Sequence, residues 1–340
     1  MATNHITIKP LRVAAVQVQA QLGQTQANLE HFTPLVEQAA REGAQLIVLP
    51  ELAAPGYSMS KMIWDSGERR DGPTVSWLLQ VSKRLGVYTG IGFIEADGED
   101  FFNTYALGTP EGGIAGFVRK TMAETYCFRC SKGSHVIETE IGRIGVGICA
   151  DNLFVANLYR MQEQAADILL MPHSAPIPSK AGGLVNEKDI PEAHRSMSEM
   201  ASDRARRIGL PTVFVNQVGR RGNEKWAGLF GKVMNPETFH LGGLSTIADQ
   251  DGKVLAQLDD QSEAVIVAEV ALDQSRRIAT RTRGHGSYGG GFVTPHPFIF
   301  EAMCYTDAFF CGLAYKLSAE RRRKARAIST NGHVSANYGQ

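Results

Sequence analysis

The chain lacks the features that mark several protein classes. Neither sign of charge is in excess: 35 basic and 35 acidic side chains leave a formal net charge of zero over 340 residues. That balance gives no electrostatic basis for nucleic acid or an anionic membrane as a partner. The basic run RRRKAR, residues 321–326, has no interleaved aromatics of the kind a stacking surface for bases needs. It is expected to be a solvated helix face or a frayed tail. No run of about 18 apolar residues occurs, and the opening MATNHITIKP lacks the apolar centre of a secretory leader. A cytoplasmic location without membrane contact is therefore expected. Cysteine is scarce: 5 residues, without scaffold-like spacing, fit a reducing compartment better than a disulfide framework. Cys127 and Cys130 have C-x-x-C spacing, but no second pair or paired histidines complete a tetrahedral zinc site. Neither a metal nor a cofactor is expected.

What the chain has is alternation. Apolar runs at residues 12–19, 44–52 and 87–95 read as strands, and residues 25–41 and 77–85 carry helical periodicity between them. Shorter strand signals follow at 102–107, 114–118, 135–138 and 143–148. A helix over 154–166, a strand over 167–172 and a helix ending near Ile208 come next, the last preceded by a polar insertion at 176–191. Strands are expected again over 212–219, 243–248, 254–258 and 264–270. From Gly284 the pattern weakens, and residues 298–326 read as a closing helix. Many short strands interleaved with helices indicate a layered α/β sandwich with helices outside.

Reactive residues follow three of the apolar runs. LIVLP leads to Glu51, IAGFVR to Lys120 and IGVGI to Cys149. In α/β sheets, functional groups collect beyond the carboxyl ends of strands, so an acid, an amine and a thiol are placed to converge. Acyl transfer through a thioester uses such a set. A thiol is mostly protonated at neutral pH and needs a base, which a desolvated carboxylate at Glu51 supplies. Cys149 is expected at a strand-to-helix turn, where the helix N-terminus favours a thiolate and the Ala150 N–H faces a developing oxyanion. A fixed ammonium at Lys120 stabilises the same oxyanion.

With those residues in view, the sequence resembles the nitrilase, or carbon–nitrogen hydrolase, superfamily, whose members use Glu, Lys and Cys in this chain order. The resemblance is carried by LPELAAPGY around Glu51, GFVRKTM around Lys120 and RIGVGICADN around Cys149, and it extends over roughly residues 10 to 282. It implies a four-layer αββα sandwich over 10–283 and a homodimer or higher homo-oligomer; the extension over 284–340 matches no branch of the family and is expected to serve in assembly or capping. It also implies a fourth functional residue, Glu124 in AETYCFRCSKG, which positions the lysine and the substrate nitrogen. Tyr126 and His173 are further candidates for the substrate pocket, while Tyr57 is expected to pack beneath it and Asn216 to hold a backbone turn. The chain departs from the family after the nucleophile, where Ala150 replaces an aromatic and FVA replaces F-P-E. Asp151 resembles the amidase and carbamoylase branches. The expected reaction is hydrolysis of a small linear amide or N-carbamoyl compound with release of ammonia. A nitrilase acting on a C≡N bond and a catalytically silent binding protein are the alternatives.

Overall fold

A computed structural model describes residues 8–330, apart from 125, 184, 221–223, 235, 274, 276–283, 286–289 and 295–297. The chain runs through β1 (Ile8–Gln17), α1 (Thr25–Arg41), β2 (Leu46–Val48), α2 (Pro73–Leu85), β3 (Tyr88–Asp97), β4 (Asp100–Gly108) and β5 (Ile114–Arg119). It continues through β6 (Val136–Thr139), β7 (Gly142–Val146), α3 (Val155–Glu163), β8 (Ile168–His173), β9 (Pro176–Pro178), α4 (Asp189–Ser198) and α5 (Met200–Ile208). The remainder is β10 (Thr212–Asn216), β11 (Val218–Gly219), α6 (Gly228–Val233), β12 (Phe239–Gly242), β13 (Thr246–Ala248), β14 (Val254–Gln257), β15 (Ala264–Asp273), α7 (Phe298–Leu317) and α8 (Ala319–Thr330).

Two six-stranded sheets result, in the orders β15-β1-β2-β3-β4-β5 and β14-β13-β10-β8-β7-β6. Read from β15 and from β6 respectively, both have the same succession of pairings: antiparallel, parallel, parallel, antiparallel, antiparallel. Period-two side-chain alternation decides the layers. Val13, Ala15, Leu46 and Val48 face Ile144, Val146, Ile168, Leu170, Val213 and Val215 between the sheets. The intervening Ala14, Val16 and Ile47 turn outward against Leu29, Phe32, Val36 and Leu78 of α1 and α2. On the far side, Leu169, Met171 and Phe214 pack against Leu158, Met161, Ala201 and Ala205 of α3 and α5. Apolar runs covered on both faces in this way produce the αββα sandwich that was expected.

The differences from expectation have local causes. β1 begins at Ile8 rather than residue 12 because β15 pairs with it along its whole length, from Ile8 opposite Asp273 to Gln17 opposite Ala264. The helix read over 77–85 starts earlier, with Pro73 in its first turn, where a missing N–H costs nothing. The 176–191 insertion supplies β9 to a small third sheet, β11-β12-β9, and runs into α4. The closing helix is two, α7 and α8, meeting at Ser318. Their boundary with the hydrolase domain, expected at 283, lies outside the described residues. Both helices pack back on the first sheet: Tyr315 and Ala325 are buried with Trp64, Ile94 and Phe101. The Phe101 N–H donates to the Tyr315 hydroxyl (3.0 Å), and the buried Arg321 pairs with Asp100. Among the described residues, no helix is long and apolar enough to cross a membrane.

Glu68 caps the start of α2 from a buried position, accepting hydrogen bonds from the Thr74 N–H (2.8 Å) and hydroxyl. Burial outweighs these bonds and pushes its carboxyl up to about 7. The native state therefore holds this proton more tightly than the unfolded chain does, and stability declines as pH rises from the ordinary carboxyl range through about 7. Denaturant unfolding of the wild type and Glu68→Gln at a series of pH values should show the wild type losing about 3 kcal/mol relative to the variant across that window. A pH-independent difference would contradict this.

Candidate active site

Glu51 stands just beyond β2, fully buried, and the next residue, Leu52, takes the left-handed backbone (φ 44°). This turn lies so close to β3 that a Cβ at Gly92 would sit 2.3 Å from the Leu52 nitrogen. Glycine is required there by close approach. Lys120 follows β5, and its backbone N–H donates to the Asn103 carbonyl of β4 (2.8 Å). The buried Lys120 Nζ donates to Glu51 Oε1 (2.6 Å) and Glu124 Oε1 (2.5 Å). An ammonium has three donors, so one is left over. Asn103 Nδ2 also donates to Glu51 Oε1 (2.8 Å), with a long contact to Glu124 Oε2 (3.5 Å), and the Tyr57 hydroxyl donates to Glu124 Oε1 (3.1 Å). Glu51 Oε2 has no hydrogen-bond partner among the described residues.

Cys149 ends the β7 segment in the left-handed conformation (φ 46°), which a non-glycine residue adopts only when its surroundings impose it. Asn152 supplies part of that constraint. Its Nδ2 donates to the Gly147 (2.6 Å) and Cys149 (3.2 Å) carbonyls and contacts His173 Nε2 (3.0 Å). A Cβ at Gly147 would fall 2.1 Å from Asn152 Oδ1. Asp151, fully buried, accepts from the N–H groups of Thr121 (3.1 Å), Met122 (2.7 Å) and Ile148 (3.3 Å). It thereby fastens the Cys149 turn to the segment after Lys120. Asp151 is a tie between loops and does not line the pocket described below.

The electrostatics follow from burial. Desolvation raises the Glu51 pKa, against the opposing pull of Lys120. Desolvation also opposes the Lys120 charge, but Glu124 and Glu51 outweigh it and hold the ammonium well above its ordinary pKa. The Cys149 thiol is pushed well up by burial and by Glu51, while Lys120 and the Ser174 N–H work the other way. The resting sulfur is a thiol. The expected thiolate at a helix N-terminus does not hold, because Cys149 opens a short 3-10 turn, Cys149–Leu153, and α3 begins only at Val155.

A pocket of about 290 Å³ opens over this centre, lined at its inner end by Cys149, Ala150, Glu124, Tyr57 and Ser174. Glu51 and Lys120 lie behind that lining, wholly buried. Tyr126 lines the pocket; His173 does not, since its buried ring sits under Asn152 and against Phe214 (4.8 Å between centroids). Burial, with Lys120 and Arg204 adding to it, keeps His173 well below the ordinary histidine pKa, so the neutral ring accepts from Asn152. Asn216 holds Ala175 through both its backbone groups (2.9 and 3.2 Å). Cys127 is buried, and Cys130 lines the pocket; among the described residues no cluster is arranged to hold a metal ion. Sequence reasoning missed Asn103, Asn152 and Gln217, whose Nδ2 or Nε2 groups donate within the centre or to the Glu51 carbonyl (2.9 Å). The available signal was a lone amide inside the apolar run FFNTYAL.

The sequence model of the family "Carbon-nitrogen hydrolase" matches residues 12–280. Among curated proteins, a nitrilase of Pyrococcus abyssi is 26% identical over 77% of this chain and 90% of its own length. An N-carbamoylputrescine amidase of Arabidopsis thaliana is 28% identical over 70% of this chain and 79% of its own. The crystal structure of a carbon–nitrogen hydrolase from Helicobacter pylori G27 superposes with a TM-score of 0.68 at 21% identity, covering 79% of this chain and 91% of that one.

Removing the Asn103 amide deletes a hydrogen bond that lowers the Glu51 pKa. With Glu51 as the candidate base, which works when deprotonated, the acid limb of kcat/KM should lie above the ordinary carboxyl range and move upward in Asn103→Leu. A pH–rate profile checks this, and a downward movement would contradict it.

Proposed function

We propose, from the premise that this chain belongs to the carbon–nitrogen hydrolase family and is such an enzyme, that it hydrolyses a small linear amide or N-carbamoyl compound through a thioester on Cys149. The observation that carries the reading is the orphaned Glu51 Oε2, a buried carboxylate oxygen whose partner oxygen is already held by Lys120 and Asn103. Such an oxygen is suited to take a proton.

In this scheme Glu51 accepts the Cys149 proton as the sulfur bonds to the carbonyl carbon. The third Lys120 donor and the Ala150 N–H stabilise the oxyanion. Glu51 then gives its proton to the departing nitrogen, the C–N bond breaks, and ammonia leaves. Water enters, loses a proton to Glu51 and attacks the thioester carbonyl; the acid is released as the proton returns to sulfur. Glu124 positions Lys120 from the pocket side and faces the substrate nitrogen. The high thiol pKa is no obstacle, because the proton moves in concert with attack onto a carboxylate whose own pKa is raised.

The likeness to the Pyrococcus nitrilase, at 26% identity, keeps C≡N cleavage as a second reading through the same residues. A homo-oligomer belongs to the proposal as well, supported by the exposed Phe309, Phe310, Leu313 and Leu317 of α7.

Ammonia release from matched amides, N-carbamoyl compounds and nitriles tests the scheme. The amides or carbamoyl compounds should be turned over, and Cys149→Ala should abolish the signal while circular dichroism stays native. Full activity in that variant would overturn it, and turnover of nitriles alone would favour the second reading.

A further inference from the structure

The 3-10 turn that Cys149 opens runs only to Leu153, so whatever holds its far end also bears on the thiol. Three successive carbonyls at that end are taken by three different segments. The Asp151 carbonyl accepts from Asn157 Nδ2 of α3 (3.2 Å), the Asn152 carbonyl from the buried Arg204 Nε of α5 (2.9 Å), and the Leu153 carbonyl from the Val293 N–H (2.8 Å). The first two donors lie within residues 12–280, where the family match runs, and Val293 lies beyond it.

Residues 291–293 grip this end of the turn as a short antiparallel bridge. Phe292 stands opposite Phe154, with the Val293 N–H on the Leu153 carbonyl to one side and the Val155 N–H on the Gly291 carbonyl (3.1 Å) to the other. Along its second edge Phe292 exchanges both backbone hydrogen bonds with His285 (2.5 and 2.9 Å). Paired backbone groups of this kind fix the joined segments to each other. Side chains add packing. Val293 is fully buried in one cluster with Leu158, Met161 and Ala201 of α3 and α5. The buried Phe292 ring is paired with Phe154 (4.8 Å between centroids) and with Phe300 in the first turn of α7 (5.7 Å), both within the range of favourable aromatic contacts. Phe154 and Phe300 in turn line the pocket.

The left-handed backbone of Cys149 (φ 46°) persists only where its surroundings over-determine it. Asn152 constrains the turn from within, through the Gly147 and Cys149 carbonyls. Val293 and Phe292 constrain it from outside, at its last residue and the one after.

We infer that residues 291–293 brace the Cys149 turn and that Phe292 is a positioning residue for the thiol, acting through Leu153 and Phe154. The inference deepens the reaction proposed above and rests on it only in reading Cys149 as the nucleophile. It gives the extension beyond the family match a part in the chemistry.

Phe292→Ala removes the ring and keeps the backbone groups, while Phe292→Leu keeps most of the buried volume. Hydrogen exchange followed by peptide mass spectrometry reads the brace without turnover. In Phe292→Ala the amides of residues 150–155 should exchange about tenfold faster or more than in the wild type, while those of β1 and β2 keep their rates. Phe292→Leu should fall between the two, and it carries the test if the alanine variant does not fold. Unchanged exchange at 150–155, or an equal increase along the whole chain, would overturn the inference. With hexanamide as substrate, kcat should fall by about 10- to 100-fold in folded Phe292→Ala with KM changed far less, and Phe292→Leu should recover most of it. A raised KM with kcat intact would make Phe292 a support of the pocket wall alone and overturn the positioning role. If the wild type hydrolyses no amide yet exchange at 150–155 responds to the substitution, the reaction scheme fails and the brace stands.

Discussion

A single buried ammonium, Lys120 Nζ, shared between Glu51 and Glu124, is the constraint on which the rest of the structure depends. Burying one such charge is strongly unfavourable unless it is paired and hydrogen-bonded, and removing either partner would leave an uncompensated ion in the core. Two carboxylates around one ammonium leave an excess of negative charge, which raises the Glu51 pKa further and is offset in part by the Asn103 amide. Burial first, and then the same negative charge, push the Cys149 thiol well above its ordinary pKa. The centre thus holds a protonated sulfur beside a buried carboxylate whose proton affinity is raised, the arrangement that the proposed scheme uses.

Holding that cluster requires segments from two sheets. Glu51 and Lys120 follow strands of the first sheet and Cys149 a strand of the second, and the face-to-face packing of β1, β2, β7 and β8 brings their ends together. The strain is concentrated beside the reacting groups, at Leu52 and Cys149, both in the left-handed region. Each strained turn has a glycine that lets backbone or side chain approach, Gly92 for Glu51 and Gly147 for Cys149. Asp151 and Asn152 then fasten the Cys149 turn with hydrogen bonds to main-chain groups, which lock geometry more firmly than packing alone.

The last two helices join this core through a different interaction. Arg321 is buried against Asp100 and stacks on Tyr315 (4.3 Å), so the RRRKAR run is not uniformly a solvated face. One turn of α8 points inward to the β3–β4 hairpin, and Lys324 and Arg326 reach Asp65 and Glu99 at its margins. This docking holds α7 where its residues line the pocket.

The order of strands and helices was legible in the sequence because most strands are apolar on both faces and most helices on one, and such patterns survive in one dimension. So was the candidate triad, since Glu51, Lys120 and Cys149 each follow an apolar run directly, and chemistry at strand ends is a local signal. The sequence by itself determined the elements, the reactive residue types and their chain order. Only tertiary structure decided the rest: that Asn103 from β4 shares the carboxylates, that Asp151 ties two loops outside the pocket lining, that His173 turns under Asn152 and away from the pocket, and that α7 lines the cavity. These depend on contacts between residues far apart in the chain, and a hydrogen bond or a cavity wall formed across such separations leaves no periodicity to read.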